Sequence, residues 1–113
     1  MQYVYPAIFR KSSEVTDFWE VDFPDIDFLA TCGYSLYEAM EDAEDTLGYV
    51  MCYHEDREAG RLTEPFTNRV DPPTPIKDVK VVLDEYSSEA FVTLIKCDTD
   101  EYRKKLAAEK AGE

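Results

Sequence analysis

The chain is poor in the residues that build covalent or metal-held scaffolds. Its 113 residues include three cysteines, one histidine and four glycines. Cys32, Cys52 and Cys97 form no CxxC pair and are too scattered for a disulfide framework. An odd count of this kind fits a reducing compartment. A lone histidine without closely spaced cysteines removes the usual donor set of a zinc site. Positive charge is scarce as well: 12 Lys and Arg stand against 25 Asp and Glu, a formal net charge of -13. Such a field repels phosphate backbones and attracts a basic partner. No run is apolar for long enough to span a bilayer, and the opening residues lack a signal-peptide core. A cytoplasmic protein with no membrane contact is therefore expected. At this length one domain, 1–113, with a modest core is expected, and a homodimer or higher homo-oligomer would hide surface that a small core leaves exposed.

What is present is a regular grammar of strands and helices. Tyr3 to Arg10 is aromatic and β-branched, as strands are, and Pro6 suits an edge position because it has no amide hydrogen. Residues 11–14 read as a hairpin connection. Residues 15–23 read as a second strand, with Trp19, Val21 and Phe23 on one face and Glu20 and Asp22 on the other. Asp25 to Asp27 is a turn, and Phe28 to Cys32 is a third strand or extended loop. Ser35 and Glu38 then form a capping box at the start of a long helix. Leu36, Met40, Ala43, Leu47 and Val50 or Met51 give that helix its apolar stripe. Gly48 predicts close helix–sheet approach, since an interior glycine weakens a helix by about 1 kcal/mol. The helix should run to about Glu58 and end at Gly60. Prolines make 62–75 a loop. Val79 to Leu83 and Ala90 to Cys97 read as further strands, and Asp100 to Lys110 as a short charged helix. The sum is an α/β (α+β) two-layer sandwich: a small, mostly antiparallel sheet packed by one long helix, plus a short C-terminal helix. The second sheet face is expected to be solvated or to supply a dimer contact, and a spare strand edge is a binding surface.

No catalytic constellation stands out, and no enzyme, metal or cofactor is expected. Asp22, Asp25 and Asp27 offer oxygen donors at near-alternate positions, but a calcium-loop pattern is missing and turn capping explains them. Cys52 and His54 are two apart on a helix and do not face each other, so they make no nucleophile–base pair. Tyr3 and Tyr5 with Arg10 and Lys11 form an alternative surface for weak RNA binding by base stacking. In that alternative the chain is a standalone regulatory domain.

Tyr5-Pro6-Ala7-Ile8-Phe9, Trp19-Glu20-Val21-Asp22-Phe23-Pro24-Asp25, the Thr31-x-Gly33 step, and Ser35-Leu36-Tyr37-Glu38-Ala39-Met40 with Ala43 and Leu47 together resemble the HicB family of bacterial antitoxins. Asp27-Phe28-Leu29 stands where that family usually has Pro-Gly-Cys. The resemblance implies a partial ribonuclease-H-like fold without nuclease activity. It also implies a function: sequestering a small, basic, HicA-like toxin that cleaves messenger RNA, by masking its active site. The toxin-facing surface is expected along the acidic helix flank of Glu41, Asp42, Glu44 and Asp45, with the loop near Asp25. Family members often add a C-terminal DNA-binding module; none is read in this chain, so DNA binding is not expected of it.

Overall fold

The computed structural model describes residues 1–62 and 64–112, so expectations placed on Thr63 and Glu113 lie outside the described residues. The elements are β1 (Gln2–Ser12), β2 (Trp19–Asp22), β3 (Ala30–Gly33), α1 (Leu36–Glu58), β4 (Ser87–Asp98) and α2 (Thr99–Ala111). The strands form one antiparallel sheet in the order β3-β2-β1-β4. With one long helix and one short C-terminal helix, the fold is α+β.

Alternation decides which side chains meet the helix. Tyr5, Ala7 and Phe9 of β1, Trp19 and Val21 of β2, and Ile95 of β4 join Ala39, Ala43, Leu47, Val50 and Met51 of α1 in the core. Register brings Phe9 opposite both Val21 and Phe91. The Phe9 and Phe91 rings stack at 5.2 Å between centroids, and Trp19 meets Phe91 edge-on at 5.6 Å. Such pairs add to the burial of large apolar rings.

Several local expectations are corrected. The second strand begins at Trp19, not residue 15, because the preceding chain is taken up by a turn. There Ser12 Oγ accepts from the amides of Glu14 and Val15, and Asp17 adopts φ 58°. The buried stripe of α1 is rotated: Ala39 is wholly buried, whereas Leu36 and Met40 are partly exposed. Gly33 explains the phase. A Cβ built there would lie 2.5 Å from the Ala39 backbone nitrogen, so only a glycine lets β3 and α1 approach so closely. Gly48 makes room for a different neighbour from the one expected. Its missing Cβ would meet Tyr102 of α2 at 2.9 Å, so it admits the second helix and not the sheet.

Pro6 lies in a strand that is central only in part. β1 pairs with β2 over Ile8–Lys11, while Gln2–Ala7 pair with β4 alone. The proline therefore sits where one side of β1 has no ladder partner. Val79 to Leu83 does not form a strand. A single 3-10 turn at Ile76–Asp78 contacts β4 instead, and Arg10 Nε donates to the Val82 carbonyl at 3.5 Å. Pro6, Ile8 and Arg10 share the face away from α1, and Pro6 and Ile8 are buried. The proline-bearing connection thus crosses the sheet's second face, which is neither fully solvated nor fully available to a second copy. Among the described residues, the outer edge of β4 has no strand partner.

Candidate functional site

The acidic flank of α1 begins at a well-made helix start. Ser35 Oγ accepts from the Glu38 amide at 3.1 Å, and Glu38 Oε2 accepts from the Tyr34 amide at 3.1 Å. These bonds satisfy amides that the first turn leaves free. Tyr37, Met40, Glu41 and Glu44 then follow at three- and four-residue steps, and all are exposed. Asp42 is exposed too, but farther round the helix, since residues one or two apart do not share a face. Among the described residues, Glu41, Asp42 and Glu44 have neither an ion pair nor a side-chain hydrogen bond. Asp45 differs: its Oδ1 accepts from Lys105 Nζ of α2 at 3.0 Å.

Asp25 has another job. Its carboxylate is buried and accepts from both the amide and the hydroxyl of Thr74, the amide at 2.8 Å. The Asp25 carbonyl accepts from the Asp71 amide at 2.9 Å, and the Asp27 amide donates to the Arg69 carbonyl at 3.0 Å. Ile26 bridges Val70. The turn after β2 is therefore stitched to residues 68–74, and Asp25 is one of the stitches. Asp22 faces away from α1, and Asp27 lies 3.9 Å from Arg69. Among the described residues no group of three or more His, Cys, Asp or Glu side chains converges.

The C-terminal half of α1 carries the same residue types in a different setting. Glu55 Oε2 accepts from Tyr3 Oη at 2.8 Å and from the buried Thr99 Oγ1 at 2.7 Å. Arg103 Nη2 donates to Glu55 Oε1 at 3.3 Å, to Asp56 Oδ1 at 3.0 Å and to the Cys52 carbonyl at 3.2 Å. Arg61 Nη2 closes the group on Asp56 Oδ1 at 2.9 Å. Burial pushes the Glu55 carboxyl up, but hydrogen bonds from Thr99, Tyr3 and Arg103 outweigh it and leave it below its usual value. The guanidiniums of Arg103 and Arg61 hold Asp56 below its usual value. Burial, then the bond to Glu55, drives the Tyr3 phenol well above the ordinary range. These groups clamp α2 and β1 to α1. They are occupied.

The alternative RNA surface is not assembled on one face. Tyr5 lies in the core and donates its hydroxyl to the Asp71 carbonyl at 2.8 Å, which leaves no ring face for a base. Tyr3 is engaged with Glu55. Lys11 sits 6.0 Å above the Trp19 ring, and Arg10 points to the opposite face. His54 Nδ1 lies 3.3 Å from Arg57 Nη2. Burial first, with Cys52 and Glu55 adding, pushes the Cys97 thiol up to about 12, which keeps it protonated at neutral pH.

Some exposed residues gave little sign in the sequence. Tyr37 and Met40 turn outward because the helix phase is set by Gly33 and Ala39. Phe28 stands at 98% exposure with φ 59°. The one available signal for Phe28 was its position where the family that the sequence resembles usually has a glycine.

No family model matches the chain, and no curated protein matches it. Among solved structures, a chain of a "Toxin-Antitoxin complex from Streptococcus pneumoniae" is similar, with a TM-score of 0.66 at 21% identity. The match covers 90% of this chain and 73% of that one. The likeness is one of fold.

Proposed function

We propose that this protein is an antitoxin of HicB type, which sequesters a small basic toxin and masks the toxin's messenger-RNA-cleaving site. The observation that carries the reading is the fold likeness to a chain of a toxin–antitoxin complex, at a TM-score of 0.66. Charge supports the antitoxin side. A chain of net charge -13 is ill suited to grip RNA and well suited to steer a cationic protein into contact. The flank of α1 supplies the geometry: Glu41 and Glu44, unpaired among the described residues, lie one turn beyond exposed Tyr37 and Met40, with Asp42 exposed farther round the helix. That arrangement gives an apolar centre with a charged rim, in which the centre supplies affinity and the rim supplies rate. Asp25 and Asp45, engaged with Thr74 and Lys105, contribute to shape and not to the rim. The expected self-association is assigned to the outer edge of β4, which has no strand partner among the described residues. Its central residues, Ala90 to Ile95, carry neither charge nor proline to discourage strand pairing.

The test is association with the protein encoded in the neighbouring reading frame. A small basic product whose RNA cleavage is suppressed by this chain is the expected result. Replacing Glu41, Asp42 and Glu44 together by lysine should slow association at least tenfold at low salt. Unchanged binding would remove the flank from the interface, and absence of any such partner would remove the antitoxin reading. Sedimentation of the free chain as a monomer would remove the β4 contact.

A further inference from the structure

Three described residues take left-handed backbone: Asp17 at φ 58°, Phe28 at φ 59° and Gly60 at φ 69°. Aspartate and glycine adopt that region readily, but a phenylalanine there is a true outlier. The turn leaves Phe28 no alternative. Ile26 before it and Leu29 after it are both buried in the core. The Phe23 amide donates to the Leu29 carbonyl at 3.1 Å, and the Leu29 amide donates to the Ile26 carbonyl at 3.4 Å. Asn68 Nδ2 donates to the Asp27 carbonyl, and the Asp27 amide donates to Arg69, so the residue preceding Phe28 is pinned from outside the turn. The ring itself is 98% exposed. In the free chain the position therefore combines a strained backbone with a wetted aromatic side chain, and glycine would relieve both.

Strained positions of this kind persist where something outside the local structure rewards them. An aromatic ring on a rigid, projecting turn is the form that interface anchors take, because little order is lost when it docks. The surroundings choose the occupant. Asp22 is exposed in the β2–β3 ladder opposite Ala30, where Arg10 and Glu20 line the same hollow, and Asp27 and Asp71 share Arg69. The rim of the turn is thus net negative. A second copy would present the same negative rim and its own charge of -13, so self-contact through this turn is disfavoured.

We infer that Phe28 is an anchor residue inserted into an apolar pocket, rimmed by lysine or arginine, on the basic toxin. This inference rests on the antitoxin reading above and adds to it the residue on which affinity turns. The experiment compares full-length wild type, Phe28→Gly and Phe28→Tyr, with the small basic protein of the neighbouring reading frame as probe. Phe28→Gly should raise the melting temperature of the free chain by about 2–5 °C through relief of strain. The same change should weaken binding at least about 30-fold, as loss of a hot-spot aromatic does. Phe28→Tyr keeps the ring and should keep the affinity. Opposite signs for stability and binding separate an anchor from a residue that supports the fold. If wild type binds and Phe28→Gly binds equally well, or melts lower, the anchor assignment fails while the antitoxin reading stands. If wild type does not bind the probe, both fail together.

Discussion

The two halves of α1 carry the same acidic chemistry and use it in opposite ways. In the first half, Glu41, Asp42 and Glu44 are exposed and, among the described residues, without partners. In the second, Glu55 and Asp56 are bound by Tyr3, Thr99, Arg61 and Arg103, which come from β1, from the first two turns of α2 and from beyond the end of α1. Counting carboxylates along the helix does not separate these roles. What separates them is whether another element arrives to neutralise the charge, and α2 reaches only as far back as Asp45. A free carboxylate is available to a partner, while a bound one holds the protein together.

The contrast can be broken most severely at its foundation. Gly33→Ala forces a methyl against the Ala39 backbone and should displace the first half of α1 from β3, destabilising by about 3 kcal/mol or more. Urea unfolding would measure it. A neutral outcome would mean that α1 is not seated as described. Arg103→Ala should cost about 1–2 kcal/mol, because it strips hydrogen bonds from two carboxylates at once while its partial exposure limits the loss.

A smaller effect should appear on titration. Glu55 and Asp56 have depressed values in the folded chain. Their contribution is therefore complete above the ordinary carboxylate values, near pH 4–5, and is lost as pH falls through the folded values below that. Unfolding free energy should stay level from neutrality down to about pH 5 and then decline, and Arg103→Ala should flatten the decline. The same slope in wild type and variant would place the acid sensitivity elsewhere. Least affected should be the stability of the Glu41, Asp42, Glu44 triple-lysine variant, within about 0.5 kcal/mol of wild type. A large change there would erase the distinction between the two halves.

Local rules made much of this fold legible. Ser35 with Glu38 announced the helix start, and alternation at Trp19, Val21 and Phe23 set the inward face of the second strand. Gly60 marked the end of α1, with φ 69° just beyond its last turn. Long-range contacts were not legible. The phase of the α1 stripe depends on Gly33 meeting Ala39, and Gly48 depends on Tyr102, which lies more than fifty positions away (102 against 48). Val79 to Leu83 had the composition of a strand but found no ladder, because the chain crosses a sheet face instead of joining an edge. The acidic flank could be proposed from charge alone. That Asp25 and Asp45 are engaged could not, since Thr74 and Lys105 reach them only through the tertiary fold.

The docking of α2 has a consequence for motion. Apart from Thr99 at its first position, this helix buries no residue fully, and it is held mainly by Tyr102 and by polar bonds. Elements with little apolar burial open below the energy of global unfolding. Its backbone amides should therefore exchange with solvent deuterium well before those of α1, so that the terminal helix behaves as a latch that swings off a scaffold still intact beneath it.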